Sequence, residues 1–145
     1  MPQTEALSLS ATNNRITMEV FLLDDQKEIE QLLAVRAENT RKISALLDQI
    51  EKQGIDSKEE REVFDAVKAT RTPYVESYKH ALDLLLKENK PAQARAIMVG
   101  TTIPRLRAYH EAWSAFVDFQ GKQMDAVAHL ISKESLGERI HLLDG

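Results

Sequence analysis

The chain has 145 residues, of which 43% are hydrophobic, 29% charged and 6% aromatic, with 5 glycines, 4 prolines and no cysteine. That is one domain's worth of chain, long enough to bury its own core, and the composition excludes collagen, low-complexity disorder and disulfide scaffolds. Lack of cysteine removes thiol nucleophiles, thiolate-bound zinc and iron–sulfur clusters, and a net charge of −4, with 19 Lys+Arg interleaved among 23 Asp+Glu, argues against nucleic acid as a partner. No apolar run reaches the roughly 18 residues that a membrane-spanning helix needs, and the start Met1-Pro2-Gln3-Thr4-Glu5 has no signal-peptide character. Any contact with a membrane would go through segments absent from this chain.

Gly54 is the only glycine in the first 99 residues, so long helices are expected. The breaks fall at Asp24-Asp25, at Gly54 to Ser57 and at Asn89-Lys90-Pro91. Asp25 and Ser57 suit N-caps, Glu60 completes a capping box with Ser57, Gly54 suits a helix end and Pro91 a first turn. Four helices are predicted, over about residues 4–24, 26–53, 58–89 and 92–136. Loops this short make them antiparallel neighbours, an all-α up-down-up-down four-helix bundle with a long fourth helix.

Heptad counting gives one seam per helix. The first helix offers Leu7, Ala11, Asn14, Met18 and Phe21, and the second Ile29, Leu33, Arg36, Thr40, Ile43, Leu47 and Ile50. The third offers Phe64, Val67, Arg71, Tyr74, Tyr78, Ala81 and Leu85, and the fourth Ala94, Met98, Thr101, Arg105, Ala108, Ala112, Ala115 and Phe119. A second stripe on the first helix, Leu9, Ile16, Val20 and Leu23, is left over from that seam and reads as a homodimer interface. The fourth helix outruns the third by about 15 residues from Lys122, an overhang of roughly 22 Å.

Each seam is apolar at its ends and polar in its middle. Counted down from the end holding the 24–25 and 89–91 breaks, Asn14 and Arg15, Arg36 and Thr40, Tyr78, Tyr74 and Arg71, and Thr101 and Arg105 share one layer roughly 15 to 28 Å deep. Guanidinium groups inside a bundle are costly without an anion, and no acidic residue lies on these seams within the layer. A bound carboxylate would supply the anion, with the planar guanidinium fork donating paired hydrogen bonds and hydroxyl groups orienting the ligand. Pro73 and Pro104 fall at the same level and would bend their helices there. The four histidines are scattered and none of the four predicted helices carries a Glu-x-x-His pair, so no metal or other cofactor is expected. No serine nucleophile elbow or phosphate-binding glycine loop is present, which argues against an enzyme.

Several segments resemble the periplasmic four-helix-bundle sensor domain of bacterial methyl-accepting chemotaxis receptors. They are Asn13-Asn14-Arg15 leading to Asp24-Asp25, Ala69-Thr70-Arg71-Thr72-Pro73-Tyr74 followed by Ala81 to Leu86, Pro91-Ala92-Gln93-Ala94, Tyr109, Phe119-Gln120 and Met124. The likeness spans about Asn13 to Asp125. It implies a periplasmic domain of an inner-membrane receptor, dimerising mainly through the first helix, whose outer helices continue into transmembrane segments. It also implies ligand contacts from Arg15 and from Thr101 or Thr102, and matches an Arg-x-x-Tyr pair to Arg71 and Tyr74. Many relatives carry another arginine where this chain has Tyr78.

Taken together, the expected function is a sensor for a small organic acid, with signalling through the fourth helix. The preferred ligands are di- or tricarboxylates such as malate, succinate or citrate, ahead of aromatic acids and then amino acids. Arg71, Arg36 and Arg105 would bind carboxylate, Tyr74, Tyr78, Thr40, Thr101 and Thr102 would orient it, and Arg15 and Asn14 complete the set. The alternative is a helical adaptor or structural bundle with an unoccupied polar layer.

Overall fold

In a computed structural model, which describes residues 1–144 and the side chains of residues 1–134, the chain is all helical. Helix α1 runs Pro2–Leu22, α2 Gln26–Gln53 and α3 Lys58–Leu86. The fourth rod is built of α4 Pro91–Ile97, a π turn Met98–Thr102 and α5 Ile103–Asp144. This is the expected bundle of four antiparallel helices with a long last one. No helix among the described residues is long and apolar enough to cross a membrane.

The punctuation acts through the expected chemistry. Asp25 accepts from Lys27 N at 3.0 Å and Ser57 from Glu60 N at 3.0 Å, capping α2 and α3. The reciprocal arm of the capping box lands one residue early, with Glu60 accepting from Asp56 N at 3.3 Å. Gly54 ends α2 at φ 99, a conformation that costs glycine nothing. Helix α3 stops at Leu86, earlier than expected, because Asn89 turns left-handed (φ 52) and brings Lys90 N onto the Leu84 carbonyl at 2.8 Å.

Helices α1 and α2 pair closely, as do α3 and the fourth rod, so the bundle consists of two helical hairpins laid together. The seams expected for α2 and α3 hold: Ile29, Arg36, Ile43, Leu47 and Ile50 are buried, as are Phe64, Val67, Tyr74, Tyr78 and Ala81. The main core joins them to Leu106, Tyr109, Trp113 and Phe116, and a smaller cluster of Ile16, Val20 and Ile29 fills the upper end. At the lower end Glu51 bridges Arg61 at 2.8 Å and Lys68 at 3.1 Å, tying α2 to α3, and these two cations hold its carboxyl down at about 2.

Two seams are displaced by one residue. In α1 the buried positions are Ile16 and the series Gln3, Ala6, Ser10, Asn13, Thr17 and Val20, whose members fall one residue before the expected Leu7, Ala11, Asn14, Met18 and Phe21 where the two series overlap. Met18 and Leu22 instead face outward, 44% and 82% exposed. In the fourth rod the expected seam holds to Met98. From the last residue of the π turn onward the buried residues are Thr102, Leu106, Tyr109, Trp113 and Phe116, each one later than expected, because that turn takes up one extra residue.

The displacement of α1 corrects the expected dimer stripe. Ile16 and Val20 are 4% and 1% exposed and lie in the upper core, with Leu23 packed beside them and Leu9 against the main core. They are core residues, not a free face. Ile16→Ala should therefore cost about 3 kcal/mol of unfolding free energy in a denaturant titration, whereas Met18→Ala should stay within about 0.5 kcal/mol. Equal effects at the two positions would contradict this placement.

Candidate functional site

Where all four rods meet, their polar positions enclose a small cavity. Its walls are Ser10 and Asn13 from α1, Arg36, Thr40 and Ile43 from α2, Arg71, Tyr74, Val75 and Tyr78 from α3, and Tyr109 from α5. Its volume is about 10 Å³, room for a single water. No acidic side chain contributes to the wall.

Arg36 dominates the site. It is 4% exposed, donates from Nε to Thr17 Oγ1 at 2.8 Å and from Nη2 to Tyr74 OH at 3.0 Å, and lies 3.4 Å above the Tyr78 ring centroid. Neutral hydroxyls and a π face thus replace the carboxylate that usually accompanies a buried guanidinium. Arg71 is half-buried and donates to Ser44 Oγ at 3.1 Å and to the Thr40 carbonyl at 3.5 Å. The tyrosines form the remaining wall: Tyr74 stacks on Tyr109 with centroids 5.7 Å apart and tilts against Tyr78 at 5.3 Å.

The hydrogen bonds leave two open polar atoms. Thr40 Oγ1 uses its proton on the Arg36 carbonyl at 2.9 Å, so it can only accept from Asn13 Nδ2, 3.4 Å away. That orientation leaves Asn13 Oδ1 buried and without a partner, as is the Tyr109 hydroxyl. Trp113 Nε1, one turn along α5, is unpartnered too. Ser10 and His110 join α1 to α5 at 2.8 Å beside the cavity, and burial lowers the imidazole's proton affinity.

Burial pushes the Tyr74 phenol from 10.0 up to about 12, and raises Tyr109 as well. The neutral phenol is thus the form that the fold favours, so this stability is complete below pH 10 and is lost as pH climbs towards 12. Alkaline titration should remove about 2 kcal/mol over that interval. Phenolate absorbance from Tyr74 and Tyr109 should rise together with unfolding; ionisation of both at ordinary pH in a folded chain would contradict their burial.

Of the residues singled out from the sequence, Arg36, Thr40, Arg71, Tyr74 and Tyr78 come together here. The others do not. Arg15 is exposed and pairs with Glu19 at 3.7 Å, and Asn14 is half-buried outside the cavity wall. Thr102 is buried against Ser77, their hydroxyl oxygens 2.6 Å apart. Thr101 lies outside the wall, and exposed Arg105 donates to the Pro73 carbonyl at 3.0 Å. Sequence reasoning missed Ser10, Asn13, Thr17 and Tyr109. Their signal was a polar heptad on α1 and a tyrosine next to the assumed seam position Ala108.

A larger open groove of about 810 Å³ lies at the lower end between Met1–Gln3 and the overhang of α5. Among the described residues, Asp56 is the only ionisable side chain in its lining, so no arginine or lysine there could hold an acid. Among the described residues no cluster of His, Asp or Glu is placed to hold a metal ion.

A search of curated proteins finds no match to this sequence. A family model described as a four helix bundle sensory module for signal transduction matches residues 4–134, nearly the whole chain. With the bundle, its hairpin pairing and its central polar site already in view, that match identifies the chain as a member of the four-helix-bundle sensory modules of chemotaxis receptors.

Proposed function

We propose that this sensory module is the periplasmic domain of an inner-membrane chemoreceptor, without enzymatic activity, and that it binds a small organic acid at the central polar layer. The observation that carries the reading is Arg36, a buried guanidinium with no carboxylate beside it. A ligand carboxylate would exchange the two hydroxyl contacts for a bidentate charge-assisted pair. Thr40, Tyr74 and Tyr78 would orient it and Arg71 would add positive potential. Arg15, Asn14, Thr101, Thr102 and Arg105 then fall outside the first contacts.

The closed cavity has a consequence for signalling. Ligand sites usually enclose roughly 300 Å³ or more, so an acid enters only if the two hairpins part. Binding therefore favours an open bundle over the closed one, and that differential affinity is what a sensor needs. Pro73 and Pro104 flank the layer, and the movement would pass to the overhang of α5 as a tilt or axial shift relative to α1. A homodimer would form through the outward face of α1, using Ala11, Met18 and Leu22 in place of the buried stripe.

A thermal-shift panel of small organic acids, with malate, succinate, citrate and benzoate included, tests the reading. An acid at a hundredfold excess over its dissociation constant should add about 2.7 kcal/mol and raise the melting temperature by several degrees. If every acid leaves the melting temperature unchanged, the chain is a passive bundle that uses its faces for protein partners, and Arg36 is structural.

A further inference from the structure

Resting on that reading, we infer that the preferred acid is an aromatic monocarboxylate bearing a ring hydroxyl, with its carboxylate on Arg36 and the hydroxyl donating to Asn13 Oδ1. Three observations converge on this class. First, only one guanidinium is committed to the cavity interior. Arg71 is half-buried and turned towards the exposed Ser44 and the Thr40 carbonyl, which leaves a second carboxylate without an equivalent anchor.

Second, the open polar atom on the α1 wall is an acceptor. Asn13 is a wall residue 3% exposed, and its amide nitrogen is fixed towards Thr40, so its Oδ1 is the buried atom left without a donor. A second carboxylate there would meet like partial charge, whereas a phenolic O–H would satisfy the amide oxygen. Third, the wall is aromatic, with the Tyr74 ring centroid 5.3 Å from that of Tyr78 and 5.7 Å from that of Tyr109. A ring inserted among them gains offset-stacked and edge contacts that an aliphatic acid does not make.

Arg36 Nε bonds Thr17 Oγ1, and Thr17 in turn donates to the Asn13 carbonyl, so both anchors lie along one turn of α1. The unpartnered Tyr109 hydroxyl then takes the second lone pair of either ligand group.

Isothermal titration of the unmodified domain with 4-hydroxybenzoate, benzoate and succinate tests this. The expected order is 4-hydroxybenzoate about tenfold tighter than benzoate, with succinate weaker than both; a buried acceptor left unsatisfied by benzoate sets the size of the first gap. Asn13→Ala should bring 4-hydroxybenzoate and benzoate to equal affinity, and Arg36→Met should abolish both. Succinate binding with 4-hydroxybenzoate silent would overturn the aromatic assignment while leaving the acid-sensor reading intact. Equal affinities for 4-hydroxybenzoate and benzoate in the unmodified protein would overturn the role of Asn13, and silence from all three would count against both the assignment and the reading.

Discussion

Arg36→Met is expected to abolish acid binding and to stabilise the ligand-free domain by about 2 kcal/mol. The arginine takes a full charge out of water, and its compensation is two neutral hydroxyls and the Tyr78 face. Methionine keeps most of the stem's volume and flexibility, so little cavity is opened. The partners tolerate the loss: Thr17 keeps its bond to the Asn13 carbonyl at 3.0 Å, and Tyr74 lies beside the cavity, where a water can reach it. Denaturant titrations of parent and variant, with and without acid, measure both effects. A large loss of stability would make Arg36 a structural staple, and retained acid binding would remove it from the site.

Trp113→Ala should be among the most damaging single changes, costing about 4 kcal/mol out of a total unfolding free energy on the order of 5 to 15 kcal/mol. The indole is 0% exposed and meets Phe116 and Tyr109 edge-on, at 6.3 and 6.4 Å between centroids. Phe116 continues the stack to Phe64 at 5.4 Å, so the cavity left by alanine would open in the middle of an aromatic column. Trp113→Phe should cost far less, because it keeps the column and removes an indole N–H that has no acceptor. Thermal or denaturant unfolding of both variants checks the contrast. A phenylalanine variant as unstable as the alanine one would mean that the N–H is satisfied.

Helix order, loop positions, caps and the α2 and α3 seams were legible because there apolar spacing and burial coincide. On α1 they part company. Its inward positions Gln3, Ser10, Asn13 and Thr17 are polar and its outward ones include Met18 and Leu22, so hydrophobicity points one residue off. That single step hid the whole α1 wall, Ser10 and Asn13, and made Ile16 and Val20 look free. Arg36, Thr40, Arg71, Tyr74 and Tyr78 were recoverable because they lie on the two helices with a true count. Tyr109 was not, since nothing in Met98-Val99-Gly100-Thr101-Thr102 announces a π turn and a strict heptad steps to Ala108 instead.

The π turn also bears on how this chain tolerates changes in its length. Deleting one residue from an ordinary bundle helix rotates everything after it by about 100° and turns the core outward. Here the opposite holds. Removing Gly100, whose missing Cβ would meet no atom within 4 Å, leaves Ala94 and Met98 followed by Thr102, Leu106, Tyr109, Trp113 and Phe116 at unbroken heptad spacing. The shortened rod is a plain α-helix whose two halves still face inward. The stretch 98–102 is thus a point where sequences one residue shorter can share this core, and a gap placed there when such sequences are aligned marks a change of helix type with no loss of packing.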